Sequence, residues 1–229
     1  MNGTVCFYRN SEKTGGNVMI KVFPSILAAD LLHLQQDIEH VLSAGADGLH
    51  VDIMDGHFVP NMSFGPEIVR VLRRAFPGVF LDVHLMLSSP EKYLNIFAEA
   101  GASALTIHHE AENALECLRC IHTLGLPAGL SVKPRTSEQS IIPVLEETDQ
   151  LLIMTVEPGF GGQKLMPGCV DKISALRKLG YRKPIAVDGG VTLQNAPDVT
   201  KAGADILVMG TAVFHAEDRS HAIHQLHTL

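Results

Sequence analysis

Two histidines and two aspartates interrupt apolar, strand-like runs of this chain: His50 and Asp52 in GLHVDIM, His84 in FLDVHLM, and Asp188 in PIAVDGG. Burying such side chains among Val, Ile, Leu and Met is costly unless a partner compensates them. Two neutral imidazoles and two carboxylates make a donor set for one divalent cation. Nitrogen and oxygen donors without thiolate suit Zn²⁺, Fe²⁺, Mn²⁺ or Co²⁺, and donor type does not choose among them. The alternative for each residue alone is a hydrogen-bonded core histidine or a turn-capping aspartate. Recurrence near the ends of three separate runs favours one shared site.

Glycines form a second constellation. Gly159, Phe160, Gly161 and Gly162 follow one run, Gly189 and Gly190 the next, and Gly210 and Thr211 the last. Glycine lets backbone N–H groups approach an anion closely, which predicts a phosphate site built from backbone. The chain is acidic, with a formal net charge of -7, and it has no Lys/Arg cluster for that task.

The elements that must position these residues alternate regularly. Apolar runs at 21–27, 47–54, 79–86, 104–108, 127–132, 150–156, 184–188 and 204–210 predict strands, separated by segments of helical periodicity such as PEIVRVLRRAF and CVDKISALRKLG. AGADGLHV, AGASALTI and AGADILVM form a weak internal repeat in which Gly ends a helix and a strand follows. Eight β–α units in one domain over 19–229 predict an α/β protein, a (β/α)8 TIM barrel. A doubly wound open sheet is the rival. Its glycine fingerprint is absent after the first strand, which runs into PSILAADL. In a barrel His50, Asp52 and Met54 share the inward face by strand parity, as do His84 and Met86, and such barrels carry their sites at the C-terminal strand ends.

Composition excludes several functions. With no basic patch, nucleic acid is not an expected partner. No apolar stretch is long enough for a membrane span, so no membrane is expected either. Residues 1–18 are polar and lack the apolar core of a signal peptide, and they read as a flexible extension ahead of Met19; Asn2-Gly3-Thr4 is then an accidental sequon, and a cytoplasmic location is expected. Cys117 and Cys120 lie within ALECLRCIHTL, an amphipathic helical pattern, and read as helix residues rather than a redox or metal motif. Cys6 and Cys169 are isolated, and reduced thiols are expected throughout.

From about Lys21 to near the C-terminus the chain closely resembles the ribulose-phosphate 3-epimerase family of the pentose phosphate pathway. PSILAADL, LHVDIMDGHFVPN, DVHLM, IMTVEPGFGGQ, VDGGV and GADILVMGTAVF occur in family order and spacing. The resemblance implies an isomerase that interconverts D-ribulose 5-phosphate and D-xylulose 5-phosphate at C3 through an enediolate whose charge a metal stabilises. It implies one divalent metal held by His50, Asp52, His84 and Asp188, no organic cofactor, and Asp52 and Asp188 as the acid/base pair. Ser25 and His84 then contact substrate, Met54, Met86 and Met154 wall the reacting centre, and the glycine loops take the phosphate. It further implies a homodimer or larger homo-oligomer. Alternatives are a hexulose 6-phosphate (allulose 6-phosphate) 3-epimerase and a non-catalytic sugar-phosphate-binding barrel. Arg135 stands where the family commonly has a small residue and reads as solvated. His108 and Glu110 match a family H-x-E segment without an evident chemical role, and His57 reads as a loop residue over the site or a structural one.

Overall fold

The computed structural model describes residues 19–229; the expected extension over 1–18 and Cys6 lie outside them. Eight parallel strands run β1 Lys21–Pro24, β2 Leu49–Met54, β3 Leu81–Met86, β4 Ala104–His108, β5 Ala128–Val132, β6 Gln150–Met154, β7 Ile185–Asp188 and β8 Ile206–Met209. Their order is β1-β8-β7-β6-β5-β4-β3-β2, and a parallel bridge from Ser25 to His50 joins the two ends. The protein is a single-domain (β/α)8 TIM barrel. No helix among the described residues is long and apolar enough to cross a membrane.

Helices follow the strands because each linking segment carries an apolar stripe and clear stop signals. The helix Leu34–Ser43 buries Ile38 and Val41, and Pro66–Ala75 buries Val69 and Leu72. The AGA repeats end three helices alike: Gly45, Gly101 and Gly203 take φ of 100°, 102° and 114°, and Ala46, Ala102 and Ala204 donate back to the carbonyls of Val41, Phe97 and Val199. That left-handed turn favours glycine and satisfies carbonyls that the helix end would orphan. Outward strand residues such as Val51, Val83, Leu105, Leu130, Leu151, Val187 and Leu207 join the helix faces in the main apolar cluster.

Two runs stop two or more residues before the C-terminal ends that their composition predicts. The first strand stops at Pro24 because Ser25 caps a 3-10 turn over Ile26–Ala28, its Oγ accepting from the Leu27 N–H. The sixth stops at Met154, where the Thr155 N–H and hydroxyl turn to the Asp188 carbonyl. Cys117, Cys120 and Cys169 are free thiols.

Candidate active site

The barrel interior is polar where most cores are not. His50, Asp52, Asp82, His84, Thr106, His108 and Ser131 are all buried, on β2 to β5. Strand register accounts for the grouping: Asp52 pairs with His84 across β2 and β3, and Met154 pairs with Asp188 across β6 and β7. One donor atom from each of His50, Asp52, His84 and Asp188 lies within 4.8 Å of the others. His50 Nε2 and Asp52 Oδ1 are 3.2 Å apart, His84 Nδ1 and Asp52 Oδ1 3.0 Å, and His50 Nε2 and His84 Nδ1 3.4 Å. Ligands at about 2.0–2.2 Å from a common ion stand roughly this far from one another.

Electrostatics points the same way. Burial opposes a charge on His50, yet Asp52 and then Asp82 hold its imidazole well above the usual range. Burial alone would raise the Asp52 carboxyl; the His50 charge and the hydrogen bonds of His50 and His84 instead bring it well below the usual range. Asp188 goes the other way. Burial, with the neighbouring Asp52 charge next, lifts it to about 6 against the pull of His50 and His84. A site whose carboxylates draw a proton onto a buried imidazole is one in which a cation is favoured.

Both histidines are braced from behind. His50 Nδ1 lies 2.9 Å from Asp82 Oδ2, while Thr106 Oγ1 donates to Asp82 Oδ1 at 3.3 Å. His84 Nε2 lies 2.9 Å from His108 Nε2, and His108 Nδ1 lies 3.2 Å from Glu110 Oε2. Sequence reasoning passed over Asp82, although the signal was present. Asp82-x-His84 carries the same parity as His50-x-Asp52, so both pairs face inward.

Above this floor opens a cavity of about 1130 Å³ at the C-terminal ends of the strands. Asp52 and Asp188 reach it, with Ser25, Met54, Met86, Met154, Gly159, Phe160, Gly161, Gly162, Gly189, Gly190, Gly210 and Thr211. His50 and His84 are fully buried beneath and do not line it. The direct substrate contact expected of His84 is therefore not visible in this arrangement. Ser25 Oγ donates to Asp52 Oδ2 at 2.6 Å, which orients the carboxylate from the β1 side.

The glycine loops need their glycines. Gly189 and Gly190 have φ of 117° and 67°, and a Cβ on Gly190 would lie 2.3 Å from the Leu165 nitrogen. Asn195 Nδ2 supports this turn by donating to the Gly190 carbonyl at 2.9 Å. Gln163 Nε2 pins the loop after β6 through the carbonyls of Glu157 and Phe160, and Asn61 Nδ2 ties it to the loop after β2 through the Gly159 carbonyl at 2.7 Å. Among the described residues lining the cavity, Lys164 is the only lysine or arginine. Arg135 does not line it; its side chain is 87% exposed and paired with Glu157 at 3.2 Å. His57 is exposed and folds back on the Asp55 carbonyl, outside the cavity.

A model of the ribulose-phosphate 3 epimerase family matches residues 21–214. The ribulose-phosphate 3-epimerase of Bacillus subtilis is 44% identical over 214 residues, covering 91% of this chain and 98% of that one. The Eremothecium gossypii ribulose-phosphate 3-epimerase is 43% identical over 213 residues, covering 88% of this chain and 89% of that one. Among solved structures, that of KGPDC from Streptococcus mutans superposes with a TM-score of 0.69 over 91% of this chain and 95% of that one; at 13% identity the likeness shows the shared barrel alone.

Proposed function

The chain belongs to the ribulose-phosphate 3-epimerase family and is an isomerase, and from that premise we propose that it interconverts D-ribulose 5-phosphate and D-xylulose 5-phosphate by proton transfer at C3 between Asp52 and Asp188. The observation that carries this reading is the pair of carboxylates, from β2 and β7, at the floor of one cavity with opposite proton affinities. Inverting a carbon beside a ketone requires a base on one face and an acid on the other. Environments that push two carboxyls apart supply that division. Asp52, favoured as the carboxylate, takes the C3 proton, and the electron pair moves into an enediolate. Asp188, favoured as the acid, returns a proton to C3 from the opposite side. The reverse reaction exchanges the two roles.

His50, Asp52, His84 and Asp188 fit a divalent cation by donor type, spacing and charge. Such an ion, when bound, supplies positive charge beside the developing enediolate oxygens. Ser25 holds Asp52 in place, Met54, Met86 and Met154 keep water from the reacting carbon, and the backbone N–H groups around Gly190, Gly210 and Thr211 receive the phosphate. Incubation with D-ribulose 5-phosphate in D₂O should yield D-xylulose 5-phosphate with the C3 hydrogen exchanged for deuterium. Absence of exchange by protein loaded with Zn²⁺, Fe²⁺, Mn²⁺ or Co²⁺ in turn would overturn the proposal. A higher kcat/KM on allulose 6-phosphate would transfer it to the six-carbon sugar.

A further inference from the structure

One buried string of side chains has no part in the proton transfer just described. It starts at His84, passes through His108 at the end of β4, and finishes at Glu110 in the loop beyond. His84 and His108 are fully buried, their rings meeting edge to edge with centres 4.9 Å apart and an interplanar angle of 28°. The Phe58 ring packs against His108 with centres 4.7 Å apart, and the Lys133 ammonium sits 3.8 Å from the centre of the Phe58 ring. Glu110 is fixed in turn. Its Oε1 accepts from the Lys133 N–H at 2.9 Å and from the Thr136 hydroxyl, and Lys172 Nζ clamps the same loop through the carbonyls of Lys133, Pro134 and Thr136.

The protons along this string can be placed by counting donors and acceptors. Two imidazole nitrogens 2.9 Å apart share one hydrogen, so one ring donates and the other accepts. Glu110 already accepts two donors on Oε1, as a carboxylate does, and its Oε2 faces His108 Nδ1. A lone pair on His108 Nδ1 would oppose that oxygen, so Nδ1 carries the hydrogen. His108 Nε2 is then the acceptor, and His84 Nε2 must donate to it. The remaining nitrogen of His84, Nδ1, then keeps its lone pair for a cation held with His50, Asp52 and Asp188; without the ion it lies 3.0 Å from Asp52 Oδ1, a contact that a second proton on the ring satisfies.

From this geometry we infer that His108 and Glu110 are positioning residues: Glu110, acting through His108, holds His84 in the Nε2–H form and so makes His84 Nδ1 a cation ligand. The inference rests on the metal reading given above, and it assigns a role to two residues that never touch the substrate cavity. It also explains why the two ligand histidines point opposite nitrogens at the site. His50 ligates through Nε2 because Asp82 holds its Nδ1, and His84 through Nδ1 because His108 holds its Nε2. Partners of this kind commonly change metal affinity about 10- to 100-fold when removed.

The test is competition of Zn²⁺ and Co²⁺ between the protein and a coloured chelator, with the parent compared with His108→Leu, His108→Gln and Glu110→Gln. Leu cannot accept from His84, whereas Gln can accept through its carbonyl and donate onward to Glu110. We expect His108→Leu to weaken affinity about 10- to 100-fold and His108→Gln to recover most of the loss. Glu110→Gln should fall between them. Thermal unfolding of the metal-free proteins separates positioning from damage to the core, because both His108 substitutions remove the same buried ring. In ¹⁵N spectra of the zinc-loaded parent, His108 should carry its hydrogen on Nδ1 and His84 on Nε2. Equal affinities for parent and His108→Leu, or a His108 found with the hydrogen on Nε2, would overturn the inference alone. A parent protein that takes up neither ion would overturn the metal reading and this inference with it.

Discussion

The two ends of the barrel are built on opposite plans. At the N-terminal rim one device is used four times. Asp47, Ser103, Asp149 and Asp205 each stand just before an even-numbered strand, donate their N–H to the carbonyl of a residue in the preceding strand, and accept that same residue's N–H with the side chain. A basic side chain backs each of them: His227 on Asp47, Arg73 on Ser103, His122 on Asp149 and Arg177 on Asp205. The arginines match closely. Arg73 also donates to the carbonyls of Gly101, Pro77 and Val79, and Arg177 to those of Gly203, Tyr181 and Lys183. At the C-terminal mouth the repetition is gone. Strands β2 to β4 carry the buried ionisable side chains His50, Asp52, Asp82, His84 and His108, whereas glycines mark the loops after β6 to β8, with Asp188 the one ionisable side chain on those three strands. The rim can repeat because it only joins strands. The mouth cannot, because a reaction at one carbon of an asymmetric molecule needs a different group on each side.

That contrast breaks most sharply at Asp188. Asp188→Asn keeps the shape and removes the acid, so kcat should fall about 10²- to 10⁴-fold while sugar phosphate still binds. Turnover in D₂O beside equilibrium binding of D-ribulose 5-phosphate checks both halves; unchanged turnover removes Asp188 from the chemistry. At the rim the pattern should invert. Arg73→Ala and Arg177→Ala each strip several carbonyls and one strand-bracing side chain of a donor, at a cost of about 2–3 kcal/mol of stability. The two losses should be nearly equal, and kcat/KM at 25 °C should stay close to the parent's. Urea unfolding compares them, and a large difference would end the claim of equivalence.

The same aspartate links the mouth to stability with a definite sign. In the metal-free protein burial, then the Asp52 charge, holds the Asp188 carboxyl at about 6, above the unfolded value of roughly 4. The folded state therefore binds more protons than the unfolded state between those two values, and stability falls as pH rises through the window. Metal-free Asp188→Asn has no such group to ionise. It should exceed the metal-free parent in stability by about 2 kcal/mol above pH 6, with the difference shrinking as pH falls toward 4. Thermal unfolding across that range reads it, and a stability gap that does not move with pH would show that the strain lies elsewhere.

How much of this is legible in the sequence depends on distance along the chain. The eight strands, the AGA stops and the inward parity of His50, Asp52 and His84 are local patterns, each readable from neighbouring residues. Asp82 is legible by that same parity, and in the sheet it pairs in register with His50. The His108–Glu110 string is not legible. Its meaning depends on Lys133 and Thr136, more than twenty positions away, and on a histidine in the neighbouring strand. The Asn61 tie to Gly159 spans 98 positions and leaves no local signature. The rim braces are hidden for a related reason: an Asp or Ser before a strand is ordinary in sequence, and only the sheet shows four of them making one bond pattern.

The glycine side of the mouth should answer to backbone changes and ignore charge changes. A Cβ at Gly190 meets backbone at 2.3 Å and requires a positive φ, so Gly190→Ala must distort the turn. Strain of about 1–3 kcal/mol is typical of such positions, and we expect KM for the sugar phosphate to rise about 10-fold or more while Zn²⁺ affinity stays unchanged. Arg135 is the opposite case. Unlike Lys164, which lines the cavity, its guanidinium is exposed, outside the cavity, and paired with the exposed Glu157. An exposed pair of that kind contributes about 0–1 kcal/mol. Arg135→Ala should therefore leave KM within about 2-fold of the parent at moderate salt, with little change in its salt dependence. If instead KM rose about 10-fold and the effect faded at high salt, the phosphate would be drawn by side-chain charge. The division between an ionisable half and a backbone half of the mouth would then have to be redrawn.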